Sequence, residues 1–412
     1  MDQPWQCVIV GGGPAGMMAG LLLARSGVRV LVLEKHGDFL RDFRGDTVHP
    51  STLELLSDLG LMQKFLATGL SKVTGAKIPD ARGREVTVLD LAALKHPFPY
   101  IAMAPQWEFL NLLAQAATEE ENFELRMNCE ATELLVDDGQ VTGVRYQGPD
   151  GEQEIRALLT IAADGRWSAI REQAELPVKE FRVPIDVWWF RVPGTHHVRE
   201  SLLPVFAPGR VYILIPRVGY VQAAMLLLKG QDAVQRQRGI EKFRAEISHA
   251  VPDLEEGVRE LALEDLKLLD VHVNLAHRWW RKGLLCIGDA AHAMSPVGGV
   301  GVNLAVQDAV CAARLLAGPL AANRVSDRDV AAVQRRRMLP TRVTQMVQRI
   351  MHVGLRRLLG QDVSVRLPAP LAWLFESVPV LARIPARLLG VGLLRERPPA
   401  AAREASKGPV NR

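Results

Sequence analysis

The sequence predicts an α/β fold of mixed α+β character: a parallel sheet crossed by helices, a β-rich insertion, and a helical C-terminal region. Three stretches carry that expectation. "CVIVGGGPAGMMAGLLLARSGVRVLVLEKH" (7–36) reads strand, glycine turn, helix, strand. "LLTIAADGRWSAIR" (158–171) and "LLCIGDAAHAMSPVGGVGVNLAVQDA" (284–309) are two further apolar runs, each ending where an aspartate adjoins a glycine. Apolar runs without polar alternation are expected of parallel strands buried on both faces.

The first stretch is specific in its details. Gly11, Gly13 and Gly16 fit G-x-G-x-x-G at a strand-to-helix turn. There the first glycine permits the turn, the second lets a pyrophosphate approach the backbone, and the third lets helix and strand pack closely. The helix is expected over roughly Ala15 to Ser26, with Gly27 stopping it and its free N–H groups facing phosphates. Glu34 ends the second strand, eighteen residues after Gly16. A carboxylate there takes both ribose hydroxyls and repels a 2′-phosphate. This Rossmann-like unit binds a dinucleotide, and on its own does not separate FAD from NAD.

Composition bounds the rest. The chain has 412 residues, 48% apolar and 23% charged, as expected of a globular protein of two to three domains with a sizeable core. No run of about 18 uninterrupted apolar residues marks a membrane span, and the chain enters its first strand without a basic leader. Cys7, Cys129, Cys286 and Cys311 are widely spaced without a C-x-x-C, consistent with buried thiols in a reducing cytosol. A cytoplasmic location is therefore expected. The net charge of +4 is unevenly spread: residues 335–412 hold fifteen Lys/Arg against four Asp/Glu, +11, leaving −7 elsewhere. Such a tail is a solvated or internally paired helix face, or a peripheral contact with an anionic membrane. Aromatics do not interleave with the arginines, so nucleic acid is not expected as a partner.

The three motifs in this order resemble the single-component (group A) FAD-dependent aromatic hydroxylases, the para-hydroxybenzoate hydroxylase-like family. The resemblance covers roughly Trp5 to Leu316 and rests on "GGGPAG", "ADGRWSAIR" and "GDAAHAMSPVGGVGVNLAVQDA". It implies FAD as cofactor, NADH or NADPH as co-substrate, and O2. It implies that Gly11, Gly13, Pro14, Ala15, Gly16, Glu34 and Lys35 hold the ADP half, and that Arg44 reaches the diphosphate. It places Gln106 at a helix start near the ribityl chain, Asp164 and Gly165 at the FAD and NAD(P)H motif, and Gly288 and Asp289 at a ribityl hydroxyl. Pro296, Gly299, Gly301, Val302 and Asn303 would then lie along the flavin ring, with the Pro296 carbonyl beside a flavin C4a-hydroperoxide. Glycines let backbone lie against a flat ring. A helix starting near Val302–Asn303 would set its N-terminus against the charge of reduced flavin, worth about 0.3–1 kcal/mol when exposed and up to ~2 when partly buried. No metal is implied; His49 and His292 do not make a ligand set. No second glycine fingerprint exists, so NAD(P)H has no domain of its own.

The expected division is 1–70, 104–176 and 271–345 for the FAD-binding unit, 71–103 and 177–270 for a β-sheet substrate unit, and 346–412 for a basic helical tail. "EVTVLDL", "IDVWWFRVP", "RVYILIPR" and "GYVQAAMLLLKG" supply the strands of the insertions. Trp188 and Phe190 share one face, Trp189 and Arg191 the other. The Trp188 face lines an aromatic cavity or packs as core. A catalytic base for a phenol is not identified by the sequence; Tyr212, Tyr220 and His49 are candidates by position only. The substrate is an aromatic or apolar small molecule, phenolic or not.

In the tail, Met346, Ile350 and Leu355 recur at near-helical spacing, four prolines (368, 370, 379, 385) cut the remainder into short helices, and the last fifteen residues are expected to fray. The thioredoxin-like extra domain of some larger relatives is not expected within these residues. Monomer and homodimer both remain open. The function expected is hydroxylation of an aromatic or polycyclic small molecule. Alternatives on the same fold are a reductase, a halogenase, whose W-x-W-x-I-P is absent from "VWWFRVP", and a non-catalytic flavin-binding protein. The intact glycine loop and Asp289 argue against the last.

Overall fold

The computed structural model describes residues 4–40, 47–194, 204–217, 219–360 and 366–405. Parallel pairing centres on Trp5–Val10, buried from Cys7 onward. That strand lies between Gly151–Ala162 and Val30–Leu33, and Leu284–Cys286 and Phe123–Arg126 extend the sheet on either side. An antiparallel arm, Glu130–Asp137 and Gln140–Gly148, folds off the long strand Gly151–Ala162. The first helix spans Pro14–Ala24, and the chain leaves it through Gly27 at φ +78°. Every residue from Ala15 to Ala24 is buried, as a helix apolar on all sides requires. The sheet lies beneath it and the helix Gly301–Ala321 against it. The latter helix is long and apolar enough to cross a bilayer, yet 72% of that stretch is buried inside the protein, which makes it a core helix.

The second layer is a five-stranded antiparallel sheet in the order Pro204–Ala207, Arg210–Arg217, Tyr220–Leu228, Ile185–Pro193, Lys267–Leu269. Its two faces have different duties. On one, Trp188, Phe190 and Tyr212 pack under the helix Ile240–Ala250. Phe243 of that helix meets Trp188 and Phe190 edge-on, with ring centroids 5.9 and 5.2 Å away, and Trp188 Nε1 donates to Asp232 Oδ1 at 2.6 Å. Of the two readings for this face, packed core is the correct one, because an amphipathic helix covers it. Trp189 and Ile213 occupy the other face, which turns towards Val297 of the glycine-rich loop. The first insertion makes two separate small sheets. Ser71–Val73 and Ile101–Met103 join Thr47–Val48 in one, and Gly75–Pro79 pairs with Glu85–Asp90 in the other.

The boundary expected after residue 345 falls inside one helix, Asp327–Leu359. Ser326 caps it through the Asp329 N–H while the Asp329 carboxylate accepts from the Ser326 N–H at 3.0 Å, and the helix continues past Pro340 to Gly360. It does not end near 345 because its inward residues there are anchored. Gln345 Nε2 donates to the carbonyls of Asn274 (2.7 Å) and Ala293 (3.2 Å), and Gln348 Nε2 to those of Ser295 (2.8 Å) and Val297 (2.9 Å). Met346, Ile350 and Leu355 lie on this helix as their spacing predicted; Met346 and Ile350 point outward, while Leu355 packs beneath the sheet. Two of the four prolines delimit the remainder, Pro368 and Pro379 preceding the helices Ala369–Ser377 and Val380–Gly390, whereas Pro370 lies in the first turn of the former and Pro385 inside the latter without ending it. The expected fraying is corrected for residues 400–405, which form a helix whose Ala402 is buried in the core that includes the first helix; residues 406–412 lie outside the described residues.

Part of the tail's charge is paired internally. Asp308, buried in the helix Gly301–Ala321, accepts from Arg337 Nε at 2.8 Å and from the Gly288 N–H at 3.2 Å, and pairs with His292 Nε2. Burial alone would raise this carboxyl, but its partners His292 and Arg337 hold it below the usual carboxylate range. Buried Glu396 accepts from Arg336 at 2.6 Å and pairs with Arg314 at 2.9 Å. Replacing Asp308 by Ala leaves a buried guanidinium without its carboxylate and is expected to cost about 3–5 kcal/mol. The check is a lower urea midpoint and melting temperature; a variant as stable as the parent would show that the network carries no net stabilisation.

Candidate active site

The three glycines of the N-terminal turn have three different surroundings. Gly11 holds φ +104°, and a Cβ there would lie 2.4 Å from the Ala163 carbonyl oxygen. At Gly16 a Cβ would lie 1.9 Å from the Gly11 carbonyl oxygen, so helix and strand touch at that point. Gly13 is the opposite case: no atom comes within 4 Å of where its Cβ would be. That open space is where a diphosphate can reach backbone. Pro14 starts the helix, and the amides of Ala15 and Gly16 have no acceptor within it. Glu34 is buried beside the turn, its Oε2 accepting from the Gly12 N–H at 2.8 Å and its Oε1 from the His36 N–H at 3.0 Å. That places the carboxylate at the end of the second strand, beside the turn, where an acidic residue can meet a ribose hydroxyl. Lys35, by contrast, is exposed, with Nζ 4.0 Å from Glu130. Gln106 opens the helix Gln106–Thr118 directly after Pro105. Arg44 lies outside the described residues.

The two acidic strand ends are tied to one another. Asp164 accepts from Ser168 Oγ at 2.6 Å and from the Ile170 N–H at 3.3 Å, which makes it the brace of the short helix Ala169–Gln173. Burial pushes its carboxyl up. Gly165, at φ +90°, faces open space. Buried Arg171 crosses to the Ala290 carbonyl at 3.0 Å, and Arg166 lies 3.7 Å from the Asp289 carboxylate. Asp289 itself stays about one-third exposed, so its oxygens are open to a hydroxyl donor.

The glycine-rich loop is held from several sides. Pro296 and Gly299 close a turn through the Pro296 carbonyl and the Gly299 N–H at 2.9 Å, which leaves that carbonyl a second lone pair. The Gly299 carbonyl accepts from Thr47 Oγ1 at 2.7 Å and from His49 Nε2 at 3.0 Å. Burial pushes the His49 imidazole down to about 4, so it serves as a neutral donor. Asn303 Oδ1 accepts from Ser51 Oγ (2.8 Å) and Thr52 Oγ1 (2.7 Å); its side chain staples the helix to Pro50–Asp58. On the far side Ser295 Oγ lies 2.8 Å from His352 Nε2. The helix begins at Gly301, slightly before the expected start, so the amides of Gly301, Val302 and Asn303 have no acceptor within it.

An open diphosphate turn, an accessible carboxylate and a backbone floor ending at a helix N-terminus fit a dinucleotide that carries a flat ring. A family model for the FAD binding domain matches residues 5–347. The chain belongs to that family. It is 33% identical over 350 residues to 6-methylpretetramide 4-monooxygenase of Streptomyces rimosus, covering 82% of each chain. With para-nitrophenol 4-monooxygenase of Pseudomonas sp. (strain WBC-3) it shares 28% over 321 residues, 73% of this chain and 75% of that one. Its fold matches the OxyS anhydrotetracycline hydroxylase of Streptomyces rimosus with a TM-score of 0.72 at 23% identity, over 94% of this chain and 76% of that one. This protein is an FAD-dependent monooxygenase.

In this FAD monooxygenase the surface across from the glycine loop comes from both insertions. Val73, Met103 and Ile215 pack with Ile101, Trp189 and Ile213, and Thr47, which holds Gly299, pairs in register with Met103. Arg217 donates to the Met103 carbonyl at 2.6 Å beside them. Two of the position-only base candidates are elsewhere: Tyr212 lies under the helix Ile240–Ala250, where burial pushes its phenol up, and the Tyr220 ring stacks on the Arg191 guanidinium, 5.4 Å away. Sequence reading gave no role to Arg166, Arg171, Thr47, Ser51, Thr52, Asp308 or His352. Arg166, Arg171 and Asp308 stood within quoted motifs, and that was the available signal.

Gly13 already has φ −73° and ψ −176°, which alanine adopts without strain. Gly13→Ala is therefore expected to fold normally yet lose FAD affinity by at least about tenfold, because its methyl fills the space of the diphosphate. FAD titration checks this; parental affinity would displace the diphosphate from this turn. A second expectation concerns pH. Unfolded histidine titrates near 6.5 whereas folded His49 titrates near 4, so the unfolded chain binds more protons between those values and stability falls as pH drops through that window. The shift is worth on the order of 3 kcal/mol. His49→Gln retains an N–H for Gly299 without titrating and should flatten the melting-temperature profile from pH 6.5 to 4; an unchanged profile assigns the acid sensitivity to other groups.

Proposed function

We propose that the enzyme hydroxylates a largely apolar aromatic or polycyclic small molecule, with NADH or NADPH as reductant and O2 as the oxygen source. The observation that carries this is the apolar cluster of Val73, Met103, Ile215, Ile101, Trp189 and Ile213, of which Trp189 and Ile213 also pack with Val297 of the loop that would underlie the flavin. Bound FAD supplies electron transfer from the nicotinamide and activation of O2 for delivery of one oxygen atom. The chain's own residues do the rest. Gly11 to Gly16 and Glu34 hold the adenosine diphosphate half, and Asp289 takes a ribityl hydroxyl. Free amides at Gly301 to Asn303 favour negative charge on the ring edge that they face. Thr47 and His49 keep the Gly299 carbonyl engaged, so the floor holds its shape as substrate arrives. The apolar wall keeps water from the reacting centre. The names of the relatives support the polycyclic reading: one acts on 6-methylpretetramide, another on para-nitrophenol.

The test is a screen of polycyclic and monocyclic phenols, quinones and apolar aromatics, scored by stimulated NAD(P)H oxidation, O2 uptake and product mass. Expected is a substrate that accelerates NAD(P)H oxidation, consumes O2 and gains one oxygen atom. Substrate reduction that needs no O2 would overturn hydroxylation in favour of a reductase.

A further inference from the structure

The helix Asp327–Leu359 is amphipathic in the inverted sense. Over its middle the inward face is mostly polar: Arg337, Thr341, Gln345, Gln348 and His352 are buried, with Val330, Val333 and Leu359 packed in the core towards its ends, and three of the polar five hold backbone or carboxylate groups of the flavin side. Its outward face is apolar and basic. Leu339, Met346 and Val353 recur every seven residues and are 55%, 53% and 55% exposed; Ile350 beside them is 66% exposed. Arg335, Arg342, Arg349 and Arg356 recur at the same spacing on the same exposed face, as positions three and four apart on a helix must. No carboxylate occurs between Val330 and Gly360. Apolar side chains exposed to this degree in one row mark an interaction surface.

We propose that this ridge docks the enzyme onto an anionic lipid bilayer. The apolar tips enter the boundary between headgroups and acyl chains, and the arginines lie at the phosphates with their stems along the apolar surface. A second copy is disfavoured, because pairing two such ridges would bury the arginines at a seam that offers no acidic partner. A partner helix is disfavoured as well. It needs a groove, and side chains more than half exposed on one helix form a convex ridge. The two helices that follow display the same chemistry: Trp373, Val380 and Ile384 are exposed, together with Arg383 and Arg387. Tryptophan and arginine beside aliphatic residues is the composition of an interfacial surface.

The test is co-sedimentation of the full-length FAD-loaded protein with vesicles of phosphatidylcholine alone or mixed with phosphatidylglycerol, at low and high salt. Expected is binding to the anionic vesicles that weakens with salt and is at least about fivefold stronger than to neutral ones. R342Q/R356Q should lose most of the anionic preference, and M346Q/I350Q should lose the binding that survives at high salt. All four positions are exposed, so FAD content stays at the parental level. Absence of binding to anionic vesicles at low salt overturns the proposal, as does parental binding by both double variants. A solution dimer that I350Q dissociates, without vesicle binding, would also overturn it and make the ridge a self-association face.

Discussion

Gly288 is the point where the fold closes. A Cβ there would lie 3.1 Å from the Ala15 Cβ and 3.3 Å from the Ala305 Cβ, and its φ is +59°. Two core helices, one from the start of the chain and one from near residue 300, therefore approach across a single glycine, with alanine on each side. Its N–H points down to Asp308, which is itself anchored by Arg337. The diphosphate turn at Gly11 to Gly16 and the ring floor at Pro296 to Asn303 are thereby set at a fixed spacing. A dinucleotide bridges two sites of this kind only if they cannot drift apart. Small residues at the crossing and a buried charge beneath it achieve this without a loop having to close.

The parts of the fold that were legible in the sequence are those whose physics is local. An apolar run reads as a buried strand whatever surrounds it, and a glycine triplet reads as a turn because backbone sterics decide it. Gly11 takes the positive φ of the turn, Gly13 faces open space, and Gly16 sits where helix and strand touch. The illegible parts depend on partners distant in the chain. Ser51, Thr52, Thr47 and His49 precede their loop partners by some 250 positions, and nothing in a Thr-x-His or Ser-Thr pair announces a carbonyl or an amide waiting there. Trp188 and Trp189 are adjacent, yet one is core and the other faces the site. Alternation showed that they differ; which side was which depended on the helix carrying Phe243.

The long helix shows the limit of periodicity most clearly. Apolar residues at helical spacing ordinarily mark the buried side, because burial of apolar area drives packing. Here the loop being packed against offers carbonyls and a hydroxyl, at Asn274, Ala293, Ser295 and Val297. Buried backbone acceptors must be satisfied, and glutamines and a histidine at helical spacing do so. Where the inward face is committed to hydrogen bonding, between Arg337 and His352, the apolar residues Leu339, Met346 and Ile350 are left outside, while Val330 and Val333 at one end and Leu355 and Leu359 at the other still pack inward. The sequence pattern was helical in either case; its phase relative to the core was decided by what the glycine-rich loop needed.

The same loop explains why the cofactor is readable and the substrate is not. A flavin floor made of glycine backbone has few chemical solutions, since it needs positive φ, open space and free amides, and these leave marks in sequence. The wall opposite is made of side chains on a β-sheet, where Trp189, Ile213, Ile215 and Met103 could be exchanged for other apolar residues without disturbing a strand. That apolar cluster is thus the part of the fold that tolerates the most variation. The glycine-rich loop tolerates the least, and Thr47, which holds Gly299 together with His49 and pairs in register with Met103, is where the two parts meet.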